Sequence, residues 1–119
     1  MINSEELRHN LEYCTGTEHY YKRFPFNEFV YTDGVKTFAD LAEAHWLIND
    51  IFVFCMHKGI YEQDFIAISL IAEKGKADLI FEDGNGTLLM KHHYEFTDAP
   101  DGKWDFFWCD KVLMIPNEY

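Results

Sequence analysis

The stretch Asp64–Glu73, DFIAISLIAE, places Ile66, Ile68 and Leu70 at every second position, with Ala67, Ser69 and Glu73 among the residues of the other phase. Side chains of an extended chain alternate between two faces, so this period of two marks a half-buried β-strand. Four further runs of the same kind follow: Ala77–Glu82, Thr87–Phe96, Trp104–Cys109 and Val112–Ile115. Their connections, Lys74–Lys76, Asp83–Gly86, Thr97–Lys103 and Asp110–Lys111, are short. Short links join antiparallel neighbours, so the second half of the chain is expected to form an antiparallel β-meander. Its apolar face would carry Ile66, Ile68, Leu70, Leu79, Phe81, Leu88 and Met90.

Upstream of this region the period changes. From about Asp40 to Met56, the residues Leu41, Ala44, Leu47, Ile48, Ile51, Phe52 and Cys55 recur at spacings of three and four, the mark of a helix. Trp46, Val53 and Phe54 widen the apolar stripe, as expected of one long central helix packed on the meander. Phe29–Phe38, FVYTDGVKTF, holds two extended runs around Asp33-Gly34, a dipeptide suited to a type I′ turn. A β-hairpin is expected there. Asn3 and Glu6 have the spacing of a capping box and open a helix through about Tyr13, with Leu7 and Leu11 on its buried edge. Thr17 is expected to cap a further turn carrying Tyr20, Tyr21 and Phe24, which Pro25 ends. The fold class is therefore α+β: an N-terminal helical segment, a β-hairpin, one long central helix and an antiparallel β-meander, in one domain over residues 1–119.

Composition bounds the function. Hydrophobic residues make up 48% and aromatic residues 18%, enough for a packed core. The 21 acids against 10 Lys and Arg give a net charge of −11, which argues against direct nucleic-acid binding. Nine acids and five bases lie in residues 1–60, twelve acids and five bases in 61–119, so the second half is the more acidic. Cys14, Cys55 and Cys109 have no metal-type spacing and read as free thiols of a reducing compartment. No basic and apolar leader opens the chain, and the longest apolar run, Ile51–Met56, is too short to span a bilayer. These features lead us to expect a soluble, cytoplasmic protein with no membrane partner.

Chemistry-bearing residues are present without the spacing that chemistry needs. In Thr87–Phe96, His92 and His93 fall on opposite faces and cannot chelate one ion together. Glu82–Gly86, EDGNG, lacks the alternating acids of a calcium loop and has the Gly and Asn of a tight turn. None of the six histidines forms an HxH, HxxxH or HExxH pair, and no CxxC, nucleophile elbow or phosphate-binding glycine loop occurs. A site assembled from distant positions, such as His45, His92 and Asp98, is the alternative. The expectation is a protein without metal, cofactor or catalytic residue.

Six segments carry a resemblance: Thr15–Tyr21 (TGTEHYY), Tyr31–Lys36 (YTDGVK), Ala44–Leu47 (AHWL), Glu82–Gly86 (EDGNG), Glu95–Asp98 (EFTD) and Ile115–Tyr119 (IPNEY). In this order they resemble a small bacterial family of unknown function whose members are carried by phages, plasmids and other mobile elements. The resemblance covers nearly the whole chain and implies no activity. Trp46, Tyr94 and Tyr119 stand at its aromatic positions. Two departures are visible. Ala99-Pro100 stands where an aromatic precedes the proline, and the strongly aromatic Trp104–Cys109 replaces a plainer apolar segment.

Two functional readings follow. The first is a non-enzymatic acidic interaction protein of a mobile element that binds a basic surface on a host protein. A CRISPR effector nuclease is such a target, with carboxylates standing where phosphates would sit. The partner-contacting residues would be Glu62 and Asp64, then Asp78, Glu82 and Asp83, then Asp98, Asp101 and Asp105, with an aromatic patch at Trp104, Phe106 and Trp108. The second is a ligand-binding module or enzyme with a pocket between the central helix and the sheet, lined by His45, Trp46, His92 and Tyr94.

Overall fold

The computed structural model describes residues 2–119 and has an α+β fold built on one mixed sheet. The helices are α1 (Ser4–Leu11), α2 (Asp33–Ala42), α3 (His45–Cys55) and the single turn α4 (Lys58–Tyr61). The strands are β1 (Tyr20–Arg23), β2 (Phe26–Thr32), β3 (Phe65–Glu73), β4 (Lys76–Asp83), β5 (Leu88–Tyr94), β6 (Gly102–Cys109) and β7 (Val112–Met114). They lie in the order β1-β2-β7-β6-β3-β4-β5, and a turn of 3-10 helix follows at Pro116–Glu118.

The alternation read in Asp64–Glu73 holds. Ile66, Ile68, Leu70 and Ala72 are buried, while the residues between them are only partly covered or exposed. Leu79 and Phe81 of β4 continue the same buried face, as do Trp104, Phe106 and Trp108 of β6. The helices cover this face. Phe38 of α2 meets the rings of Trp104 and Phe106, with centroids 5.8 and 5.1 Å apart, and Phe54 of α3 meets Phe81 at 5.8 Å. Phe52 packs on Phe29 and Trp108 at 5.5 and 6.1 Å. Each such side chain, fully buried, stabilises the fold by about 1.5–3 kcal/mol relative to leaving it exposed.

Several expectations are corrected. The expected hairpin at residues 29–38 is a strand followed by a helix. Thr32 caps α2, its hydroxyl accepting from the Val35 N–H at 3.4 Å, and Val35, Phe38, Ala39 and Ala42 form the helix's buried stripe. Turns with φ > 0 at two successive residues occur instead at Lys74-Gly75 (53° and 79°) and Asp110-Lys111 (51° and 64°). The expected long helix is two helices. Glu43 takes the left-handed conformation (φ 54°, ψ 42°), ends α2, and lets α3 restart at His45. Tyr20–Arg23 is the edge strand β1, not a capped turn.

The meander holds only for β3-β4-β5. The next strand, β6, pairs with the other edge of β3, from Phe65↔Cys109 to Ala72↔Gly102. The seven residues between β5 and β6 make this jump by passing over the β3–β4 turn. The Thr97 N–H donates to the Gly75 carbonyl at 2.8 Å, and the Lys74 N–H to Asp101 Oδ1 at 3.1 Å. Strand β7 then pairs antiparallel with β6 and parallel with β2, which makes the sheet mixed. Leu88, expected in the core, is 58% exposed. A register shift between Phe81 and Glu82 displaces the start of β5 relative to β4, and a one-residue shift moves a strand residue out of its expected place on a face.

Candidate interaction surfaces

The sheet's second face is half-covered to exposed along β4, β3 and β6. Across β4, β3 and β6 it presents Asp78, Ile80 and Glu82, then Ala67, Ser69 and Ile71, then Lys103, Asp105 and Phe107. Asp78 and Glu82, four residues apart, share this face as the alternation requires. Asp78 receives His93 Nδ1 at 2.8 Å, and Ser69 donates to Asp105 at 2.8 Å. The bond from His93, assisted by the nearby charges of Lys91 and His93, holds the Asp78 carboxyl below its usual range. The same bond raises His93 above the ordinary histidine value. At one corner, Tyr119 stands edge-on to Phe65 and Phe107, at 5.4 and 5.3 Å.

The remaining acids named from the sequence do not join that face in one patch. Glu62 and Asp64 are exposed before β3. Asp98 and Asp101 are exposed at the opposite end of the sheet, beside the β3–β4 turn. Asp83 belongs to the architecture of its turn, because its Oδ1 accepts from the N–H groups of Asn85 and Thr87 at 2.8 and 2.9 Å. Asp101 likewise holds Lys74, and its carbonyl accepts from the Ser4 hydroxyl. The aromatic patch is overturned. Trp104, Phe106 and Trp108 are 3%, 1% and 2% exposed and form the core under α2 and α3, so they offer nothing to a partner. Their alternation with Lys103 and Asp105 points them inward.

Three of the resemblance segments converge at the N-terminus of α2. The Asp33 carboxylate accepts from the Glu18 N–H at 2.8 Å, the Tyr21 hydroxyl at 2.8 Å and the His19 N–H at 3.3 Å. Those donors, led by the Glu18 amide, hold its carboxyl below the usual range. The Asp33 N–H in turn donates to Thr17 Oγ1 at 2.9 Å. Beside it, the Glu118 carboxylate accepts from the Thr32 hydroxyl at 2.5 Å and from the N–H groups of Gly34 and Ile115, each at 3.0 Å. Helix N-termini leave such amides without internal partners, and carboxylates suit their positive end. A Cβ on Gly34 would lie 2.6 Å from Glu118 Oε1 and 2.8 Å from Ile115 Cδ1, so glycine is what admits the carboxylate.

Two other segments, Ala44–Leu47 and Glu95–Asp98, meet at a surface notch of about 240 Å³ lined by Trp46, Tyr94, Phe96, Thr97 and Asp98. The rings of Trp46 and Tyr94 are 5.1 Å apart at 68°, and Tyr94 donates to Asp50 Oδ2 at 2.7 Å. Burial, then that hydrogen bond, push the Tyr94 hydroxyl well up, so it stays protonated as the donor. Of the pocket expected from His45, Trp46, His92 and Tyr94, only Trp46 and Tyr94 line the notch. His45 is bonded to Asp40 at 2.6 Å, and His92 lies against Tyr94 and Phe54.

The segments that carry the resemblance thus all have places in one fold. The chain belongs to the family of unknown function DUF6876. The match runs over residues 5–119 and includes both the cluster at α2 and the notch. Among curated proteins and among solved structures, nothing matches this chain. Family membership therefore brings no activity with it. Among the described residues no three His, Cys, Asp or Glu side chains stand together as a metal site, and no helix is long and apolar enough to cross a membrane. Cys14, Cys55 and Cys109 are free, and burial pushes the Cys55 thiol far up, which keeps it from acting as a thiolate.

No sequence pattern marked a further cleft of about 520 Å³, lined by Pro25, Phe26, Asn27, Glu28, Phe29, Met56 and Tyr61. Tyr61 donates to Glu28 across it at 3.1 Å. Its walls come from the β1–β2 turn and the start of β2, from Met56 just after α3 and from Tyr61 of α4, segments about thirty residues apart in the chain.

Proposed function

We propose that the protein is a non-enzymatic acidic interaction protein, and that its second sheet face binds a basic surface on a host nucleic-acid-binding protein. The observation that carries this reading is the arrangement of Asp78, Glu82 and Asp105 around the apolar Ile80, Ala67 and Phe107 on that face. Apolar groups ringed by charge have the anatomy of a protein interface. A net charge of −11 adds long-range attraction toward Lys and Arg and speeds encounter. A CRISPR effector nuclease presents Lys and Arg spaced to take phosphates, and inhibition would follow from occupying that channel. Lys91 and Lys103 interrupt the carboxylates. The surface therefore suits a partner with basic groups opposite those three acids rather than any polycation.

The test is binding to a purified effector nuclease complex at two salt concentrations. Reversing Asp78, Glu82 and Asp105 to Lys should slow association at least about tenfold and flatten its salt dependence. A control reversing the exposed Glu5, Glu12 and Glu43, which changes the net charge equally, should lose much less. Equal losses in both variants, or no salt-sensitive binding by the parent, would refute the assignment of this face.

A further inference from the structure

We propose that the notch between α3 and the end of β5 is a binding site for a quaternary ammonium group. Three aromatic side chains and one carboxylate line it, with Thr97, and no lining residue is cationic. Trp46 and Tyr94 stand edge to face at 68° to one another with centroids 5.1 Å apart, so two aromatic rings set at an angle border the space. Phe96 is 91% exposed, a ring at the rim with almost nothing covering it. Aromatic faces carry negative potential and attract cations, most effectively those that water holds weakly. A primary ammonium needs several hydrogen-bond acceptors, and among these side chains only the Asp98 carboxylate and Thr97 Oγ1, which already accepts from Ala99, offer any. A trimethylammonium group needs none, and the Asp98 carboxylate supplies a counter-charge.

Two of the walls, Tyr94 and the loop that carries Asp98, are held before any ligand arrives. Tyr94 is anchored by its bond to Asp50, and His92 backs its ring with centroids 4.7 Å apart. Asp98 sits in a pinned loop: the Thr97 N–H is bonded to Gly75, the Ala99 N–H donates to Thr97 Oγ1 at 3.1 Å, and Ala99 is 7% exposed. A preorganised site does not lose affinity to ordering its own groups. Neither the packing of the core nor the partner face described above accounts for an exposed Phe96 beside Trp46 and Asp98, and the inference is independent of that partner.

The test uses the full chain and the intrinsic fluorescence of tryptophan. Trp104 and Trp108 are 3% and 2% exposed, so Trp46 is the tryptophan a ligand in solution can reach. Choline should change the emission saturably. Its uncharged isostere, with carbon in place of the quaternary nitrogen, should bind at least about tenfold more weakly, the size of a desolvated cation–π contribution. Phe96→Ala and Asp98→Asn change exposed side chains that hold no other element in place, and each should weaken choline several-fold with unchanged circular dichroism. A peptide carrying trimethyl-lysine is the second arm. Tighter binding than choline places the cation on a protein, and the reverse order assigns the notch to a free small cation. Equal affinity for choline and its isostere, no saturable change, or full binding by both variants would overturn the proposal.

Discussion

Glu118 closes the fold around the start of α2, and its removal should be one of the costlier changes outside the core. In Glu118→Ala three hydrogen bonds to a charged acceptor disappear, those from the Thr32 hydroxyl and from the N–H groups of Gly34 and Ile115. Hydrogen bonds to charged groups contribute about 1.5–3 kcal/mol each, which would sum to well above 4 kcal/mol if every donor stayed dry. They do not all stay dry, since Glu118 itself is partly exposed and water can enter the space its carboxylate leaves. Thr32, however, is 2% exposed, and its hydroxyl is left without an acceptor. The net expectation is a loss of roughly 2–4 kcal/mol, or a fall in Tm on the order of 10 °C for a chain of this length.

Thermal and urea unfolding followed by circular dichroism measure it. Gly34→Ala supplies the internal check. Its new methyl displaces the same carboxylate, so the double variant should cost little more than either single one, a coupling of at least about 1 kcal/mol. Strict additivity of the two changes, or a Tm within about 2 °C of the parent for Glu118→Ala, would refute the picture of one shared lock.

The other expectations are smaller in scope. Ile68→Ala should cost about 2–5 kcal/mol, whereas Leu88→Ala, now known to face solvent, should stay within roughly 0.5 kcal/mol; urea midpoints separate the two. By NMR, His93 should titrate above the ordinary histidine value and fall back toward it in Asp78→Asn. Because its folded pKa is raised, the stability it contributes is full below about 6.5 and lost as pH rises through the folded value. Asp33 has the opposite sign: its lowered pKa gives stability present above about 3.8 and lost as pH falls through the folded value, so Asp33→Asn should blunt acid unfolding.

Local periodicity made much of the sheet legible. Ile66, Ile68, Leu70, Leu79 and Phe81 alternate because one face is buried, and a run of residues suffices to see it. The order of strands was not legible, because it depends on where Glu95–Asp101 crosses, and that is decided by bonds to Gly75 and Lys74, about twenty or more residues back in the chain. Asp33-Gly34 misled for a different reason. The dipeptide suits a type I′ turn, yet the spacing of Val35, Phe38, Ala39 and Ala42 after a capping Thr32 was already helical. Glu43 breaks the expected long helix in a conformation that glycine or asparagine usually marks, so nothing local announced it. Among the candidate contacts, Asp78 and Glu82 fell on the face foreseen. Trp104 and Trp108 are buried instead of forming the expected surface patch, the facing that the alternating, exposed Asp105 between them already implies.

The six resemblance segments divide by what they do in the fold, and that division says where function is to be sought. Thr15–Tyr21, Tyr31–Lys36 and Ile115–Tyr119 are accounted for by the bonds among Thr17, Asp33, Gly34 and Glu118. Glu82–Gly86 is accounted for by the turn that Asp83 closes. These four would be kept by any sequence that keeps this architecture. Ala44–Leu47 and Glu95–Asp98 are different. Ala44 and Leu47 are buried and explain themselves, but Trp46 is only partly covered, Phe96 is 91% exposed and Asp98 is exposed. Leaving an unpaired Phe in water gains the fold nothing, since burial is what makes an aromatic stabilising. Fold maintenance accounts for the first group, the exposed Tyr20 and Tyr119 apart, and leaves the rim of the notch without a structural purpose. The notch is therefore where a substitution should alter function at the least cost to stability.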